Sequence, residues 1–139
     1  MRFHFLLLSL ALGGTAAGCS DTPTTSRFCD VVKRIEATAD PMEDTAVFAR
    51  PDVLQSALEL RVRAYQDLAR VAPADISLDA LTVAAQLSRI TSAFSAAGFK
   101  SDAANTPAIT ALAQDAGFAK ASSSLVRFST ANCSDTRDV

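Results

Sequence analysis

An unbroken run of apolar residues at helical spacing is the feature that most constrains how this chain folds. The apolar positions alternate spacings of four and three residues, which puts all of them on one face of an α-helix: Ile76, Ala80, Val83, Leu87, Ile90, Phe94 and Ala97. Such a seam is typical of the inward face of a helical bundle or of a dimerisation surface. Because other amphipathic stretches flank it, we expect it to face a core. Ser77 is the predicted N-cap of this helix, and Gly98 is the predicted left-handed residue at its end.

Three further helices and one short helical turn are predicted, and no stretch alternates in the manner of a strand. The predicted elements are a helix over Arg27–Ala39 capped by Ser26, a helical turn over Asp40–Phe48, a helix over Asp52–Val71 and a helix over Thr106–Ala131. Gly117 is the point where the last helix is expected to bend or break. The sequence therefore predicts an all-α fold, an antiparallel up-down four-helix bundle over residues 27–133, followed by a disordered tail over 134–139.

The first 18 residues have the pattern of a signal peptide. Met1 and Arg2 supply a positive start, Phe5–Leu12 is an apolar stretch, and Gly13–Gly18 is rich in small residues. Eight residues rise only about 12 Å as a helix, whereas a bilayer core is about 30 Å thick. We therefore expect this segment to direct export and not to span the membrane.

At the end of this segment, Ala16-Ala17-Gly18-Cys19 resembles a bacterial lipobox. The resemblance implies that Cys19 receives a diacylglyceryl thioether and becomes the mature N-terminus, with residues 19–26 as the lipidated cysteine and a flexible tether. Ala16 departs from the pattern, which usually has Leu there. Conventional cleavage after small residues, with release of a secreted soluble protein, stays open as the alternative.

With its 27 alanines and two further cysteines, the chain resembles the small Ala-rich helical lipoproteins of high-GC, actinobacterial-type bacteria. That resemblance implies a location in the cell envelope, on the extracytoplasmic face of the membrane, with the lipid at Cys19 as the anchor. No activity is assigned to that family.

Lipidation of Cys19 leaves Cys29 and Cys133 as a pair, 104 positions apart. In an exported protein such a pair predicts a structural disulfide, which here closes nearly the whole domain. In a bundle with an even number of helices both cysteines fall at the same end. The alternative is a reactive or metal-binding pair. A metal-binding pair needs further soft ligands and a reactive pair needs a suitable environment, but the one histidine of the chain, His4, lies in the predicted signal peptide.

Composition narrows the classes of function. The formal charge is −2, with 13 basic and 15 acidic residues, which argues against a nucleic-acid partner. Without a histidine beyond His4, the chain after the signal peptide has no imidazole for proton transfer or metal ligation, so we expect no cofactor, no metal and no enzymatic activity.

Two groups of charged residues and one tyrosine are candidates for a binding or catalytic site, and each also has a purely structural interpretation. Glu59, Arg63, Asp67 and Arg70 follow one another at spacings of four, four and three, which favours ion pairs on a solvated face over an anion site. Asp40, Glu43 and Asp44 lack the ligand spacing of a calcium loop and are expected to cap a helix start. Tyr65, the only tyrosine, is expected to pack its ring in the core and keep its hydroxyl at the rim.

Two functions remain. The first is a non-catalytic cell-envelope lipoprotein that displays a helical interaction domain to an envelope protein partner, and an exposed apolar patch would favour it. The alternative is a carrier of a lipid or other hydrophobic small molecule within the bundle. An internal cavity of several hundred Å³ would favour the carrier, and a tightly filled core would exclude it.

Overall fold

Residues 25–133, which the computed structural model describes, are folded into helices, so the predicted all-α class is confirmed. The elements in this range are α1 (Thr25–Glu36), α2 (Thr45–Phe48), α3 (Pro51–Val71), α4 (Ala74–Ala96), a 3-10 helix (Ser101–Asn105), α5 (Pro107–Ala113) and α6 (Ala116–Asn132). The predicted signal peptide, Cys19 and the predicted tail over 134–139 lie outside the described residues.

The apolar seam of α4 faces the core, as its spacing predicts. Five of its seven residues are buried and two are half-buried; the buried ones are Ile76, Ala80, Val83, Ile90 and Phe94. The predicted start of this helix is wrong. α4 begins at Ala74, and the Ser77 hydroxyl donates to the carbonyl of Ala74 at 3.1 Å, so Ser77 lies in the first turn and does not cap it.

The end of α4 has the predicted left-handed glycine and a second feature that the pattern did not predict. Gly98 has a φ of +68°, and Phe99 follows with a φ of +54°. The Phe99 amide donates to the carbonyl of Phe94 at 2.8 Å, which is the 6→1 bond of a Schellman motif. A positive φ is unfavourable for phenylalanine. Burial of the Phe99 ring, which is only 7% exposed, offsets that cost.

α1 is displaced towards the N-terminus relative to its predicted range. It begins at Thr25, so Ser26 lies within its first turn and the predicted cap is wrong. It ends at Glu36 because Thr38 closes the last turn: its amide donates to the carbonyl of Ile35, and its hydroxyl donates to that of Arg34 at 3.0 Å.

The last predicted helix is divided in two, and the break comes before Gly117. α5 ends at Ala113, and Asp115 starts α6 by accepting a hydrogen bond from the Phe118 amide at 2.8 Å. The buried Gln86 of α4 donates its side-chain amide to the Leu112 carbonyl at 2.7 Å, which satisfies an acceptor at the end of α5.

The four longest helices contact one another in a closed ring, α1 with α3, α3 with α4, α4 with α6, and α6 with α1. Their buried side chains form two clusters. The disulfide cluster contains Phe28, Cys29, Val31, Leu68, Ala72, Ile76, Ala80, Val83, Ala121 and Leu125. The loop cluster contains Leu54, Leu58, Ile90, Phe94, Phe99, Ala103 and Ile109.

The predicted disulfide is present in the structure. Cys29 in α1 is bonded to Cys133, the residue that follows α6, and their Cα atoms are 5.3 Å apart. Beside it, the rings of Phe28 and Phe128 meet edge to face with centroids 5.2 Å apart. These contacts hold α1 and α6, the first and last described helices, together.

We predict that replacing both cysteines in the Cys29→Ala, Cys133→Ala variant lowers the free energy of unfolding by about 4 to 5 kcal/mol, because the bond closes a loop of about 100 residues. Urea unfolding followed by far-ultraviolet circular dichroism measures the change. The wild-type protein under reducing conditions is the matched control and should unfold at the same urea concentration as the variant. A loss below about 1 kcal/mol would contradict this account of the fold.

Candidate functional site

A cleft opens in the disulfide cluster, between α1, α3, α4 and α6. Its volume is about 330 Å³, and its walls are mainly apolar, including Phe28, Val32, Leu68, Val83, Leu87 and Leu125. Glu36 and Val126 are exposed and lie at its rim. The volume is at the lower end of the range for small-molecule pockets, which are concave and mostly apolar.

Both clusters of the core combine aromatic rings with alanines. The disulfide cluster buries Phe28 together with three alanines, none of which lines the cleft. The loop cluster buries Phe94 and Phe99 together with Ala103. The cleft is lined instead mostly by half-buried side chains that surround the buried residues of the disulfide cluster.

Five polar side chains lie among the apolar residues of the cleft: Glu36, Arg61, Tyr65, Ser122 and Ser129. The Ser129 hydroxyl donates to the carbonyl of Val126 in its own helix at 3.0 Å. The hydroxyls of Tyr65 and Ser122 make no hydrogen bond within residues 25–133. These two hydroxyls are therefore available to a bound molecule.

Arg61 is the positively charged residue of the cleft. Its Nη2 lies 2.8 Å from Oδ2 of Asp40, and its Cζ lies 5.6 Å from the centroid of the Tyr65 ring. The Arg61 side chain is 22% exposed and that of Asp40 is 32% exposed. The ion pair and the cation–π contact hold the guanidinium in place, in surroundings less polar than open solvent.

A second cavity of about 380 Å³ lies on the other side of α1, between that helix, the segment after it and α3. It is lined by Val31, Pro41, Ala57 and Leu60 among others, and it shares Ile35 and Arg61 with the cleft. Arg61 thus stands between two neighbouring cavities.

The structure decides between the two hypotheses for Cys29 and Cys133, a structural disulfide or a reactive or metal-binding pair. Cys29 and Cys133 form the structural bond, so the alternative of a reactive or metal-binding pair is wrong for the folded protein. Among the described residues, no group of three or more His, Cys, Asp or Glu side chains is arranged to hold a metal ion. Cys19, the predicted lipidation site, lies outside those residues.

The charged residues of α3 form local pairs, as the spacing predicts. Arg63 Nη1 lies 3.9 Å from Oε2 of Glu59, and Arg70 pairs with Asp67. All four side chains are more than 40% exposed, so each pair stabilises the helix by a few tenths of a kcal/mol at most.

The acidic residues that follow α1 also act locally. The Asp44 carboxylate caps α2 by accepting from the amides of Ala46 and Val47, at 2.9 and 3.3 Å. Asp40 accepts from the Met42 amide at 2.9 Å and also holds Arg61. Capping is therefore the role of Asp44, whereas Asp40 additionally links the segment after α1 to the cleft.

Arg61 is the site residue that the sequence analysis missed. It lies three residues after Leu58 and four before Tyr65, so it falls on the inward face of α3 together with them. A single arginine among the core-facing positions of α3 was the sequence signal that could have identified Arg61. Tyr65 itself is half-buried and packs against the disulfide cluster, as predicted.

Within the described part of the chain, none of the helices combines the length and the apolar character needed to cross a membrane. No family model, curated protein or solved structure matches the chain. The residues of the cleft themselves are therefore the basis on which its function is inferred.

Proposed function

We propose that this chain is a lipid-anchored protein of the cell envelope that binds one hydrophobic small molecule in the cleft of its helical bundle. The observation that carries the proposal is the cleft of about 330 Å³ that opens between α1, α3, α4 and α6, with Phe28, Leu68 and Val83 of the disulfide cluster in its wall. Its apolar walls with a few polar groups are the usual composition of a binding pocket. The function is one of binding and not of catalysis.

We infer that α1, α3, α4 and α6 run alternately up and down as a four-helix bundle. Two observations support this arrangement. The four helices contact one another in chain order around a closed ring, and only Ala72 and Pro73 separate α3 from α4, a connection too short for anything but neighbouring helices. In such a bundle the disulfide cluster occupies the end at which α1 begins.

The proposed lipid anchor at Cys19 determines which end of the bundle lies near the membrane. Six residue steps separate Cys19 from the start of α1 at Thr25, so an extended chain covers at most about 20 Å there. The disulfide cluster would then be the part of the bundle nearest the extracytoplasmic face of the membrane. A cleft in that position is well placed to exchange an apolar molecule with the lipid phase.

A second candidate function is the display of the bundle to an envelope protein. Leu78 and Leu81, three residues apart on α4, are 75% and 56% exposed. Exposed leucines at helical spacing favour an interaction surface. This candidate does not use the cleft, so changes inside the cleft would leave it unaffected.

We predict that the protein purified from the membranes of cells that export it begins at Cys19 and carries acyl chains there. Intact-mass spectrometry without reductant should give the acylated mass, less two hydrogens for the Cys29–Cys133 bond. More than one acyl chain is needed for stable anchoring. An unmodified chain that begins at another residue would overturn the anchor and leave a secreted soluble protein.

We predict that filling the cleft abolishes ligand binding. In Ser122→Phe a phenyl ring enters the cleft, and the affinity for the neutral fluorescent probe N-phenyl-1-naphthylamine should fall at least tenfold, because the ring and the probe compete for the same space. Ser123→Phe is the matched control, since Ser123 is the next residue of the same helix and is exposed.

Circular dichroism would establish that both variants keep their helices. Equal affinities of Ser122→Phe and Ser123→Phe for the probe would contradict the proposed function, as would a wild-type protein that binds no probe.

A further inference from the structure

The charged side chains that line the cleft bear on the charge of the ligand that it would bind. The cleft contains two charged side chains, Glu36 and Arg61, in unlike surroundings. Glu36 is exposed at the rim, where water screens its carboxylate, whereas the Arg61 side chain is only 22% exposed. Because electrostatic attraction grows as the surroundings become less polar, Arg61 is the charged residue of the cleft that attracts an anionic ligand, and Asp40 is the carboxylate that such a ligand must displace from it.

The guanidinium of Arg61 also has N–H groups that its ion pair with Asp40 does not use. It carries five N–H groups, and within residues 25–133 its one ion pair is that of Nη2 with Asp40. A guanidinium prefers planar anions with two oxygens, which it binds through paired hydrogen bonds. The free hydroxyls of Tyr65 and Ser122 line the same cleft and supply further hydrogen bonds to an oxygen-bearing head group.

The volume of the cleft limits the apolar part of the ligand. At about 330 Å³ it is close to the smallest pockets that hold small molecules, which suits one acyl chain and not the two chains of a membrane phospholipid. Phe28, Leu68, Val83 and Leu125 form an apolar wall that such a chain would contact.

We propose that the ligand of the cleft is a single-chain fatty acid, with its carboxylate bound by Arg61 and its chain against the apolar wall. This inference rests on the proposed function and adds the class of ligand to it. Asp40 competes with the ligand carboxylate for the guanidinium, so it is a positioning residue for Arg61.

A competition assay tests the fatty-acid proposal by measuring how well three compounds displace the probe N-phenyl-1-naphthylamine. The compounds have chains of similar length and differ in head-group charge: dodecanoate, dodecanol and dodecyltrimethylammonium. We expect dodecanoate to bind about tenfold more tightly than the other two. Arg61→Gln should remove that advantage and leave the affinity for dodecanol unchanged, and Arg63→Gln, an exposed arginine of the same helix, should change neither affinity.

Asp40→Asn separates ligand binding from a merely structural role of the ion pair. Loss of the competing carboxylate should strengthen dodecanoate binding at least twofold, whereas a structural role predicts that it weakens binding as Arg61→Gln does. If dodecanol and dodecanoate bind equally and Arg61→Gln affects neither, the fatty-acid inference is wrong and the proposed function stands. If the probe binds and none of the three compounds displaces it, the fatty-acid inference is wrong; if the probe itself does not bind, the proposed function fails.

Discussion

The bond between Cys29 and Cys133 joins the first described helix to the residue after the last one, and the packing of the protein depends on it. It removes from the unfolded chain the freedom of a loop of about 100 residues, which stabilises the folded state by about 4 to 5 kcal/mol. Phe28 and Phe128 pack edge to face beside it. A domain closed in this way tolerates a core that is less than completely filled.

The two clusters of the core differ in what lies beside them. The loop cluster buries Phe94 and Phe99, and Phe99 enters it at the cost of a positive φ. The disulfide cluster buries Phe28 and Cys29, and the cleft opens beside it. Filling the cleft with larger side chains would strengthen the core through additional apolar burial. The covalent bond acts on the unfolded chain, so it stabilises the whole domain, including the part that borders the cleft.

The sequence was sufficient to predict the helices and the disulfide, but not the cleft. The spacing of three and four from Ile76 to Phe94 specifies which face of α4 is buried, because helical periodicity is a local property. The starts of the helices were predicted less well. Serine commonly caps helices, yet Ser26 and Ser77 both lie within the first turns of their helices. A cleft depends on how the helices pack in three dimensions, so the pattern revealed neither its volume nor the approach of Arg61 to Asp40.

Methyl-resolved NMR during a titration with dodecanol tests most directly whether an apolar molecule binds within the disulfide cluster. Binding in the cleft predicts saturable shifts of the methyl signals of Val83, Leu87 and Leu125, which line it, and little change for Leu54 and Ile109 in the loop cluster. Shifts confined to the exposed Leu78 and Leu81, or no saturable shift at any methyl group, would contradict the account.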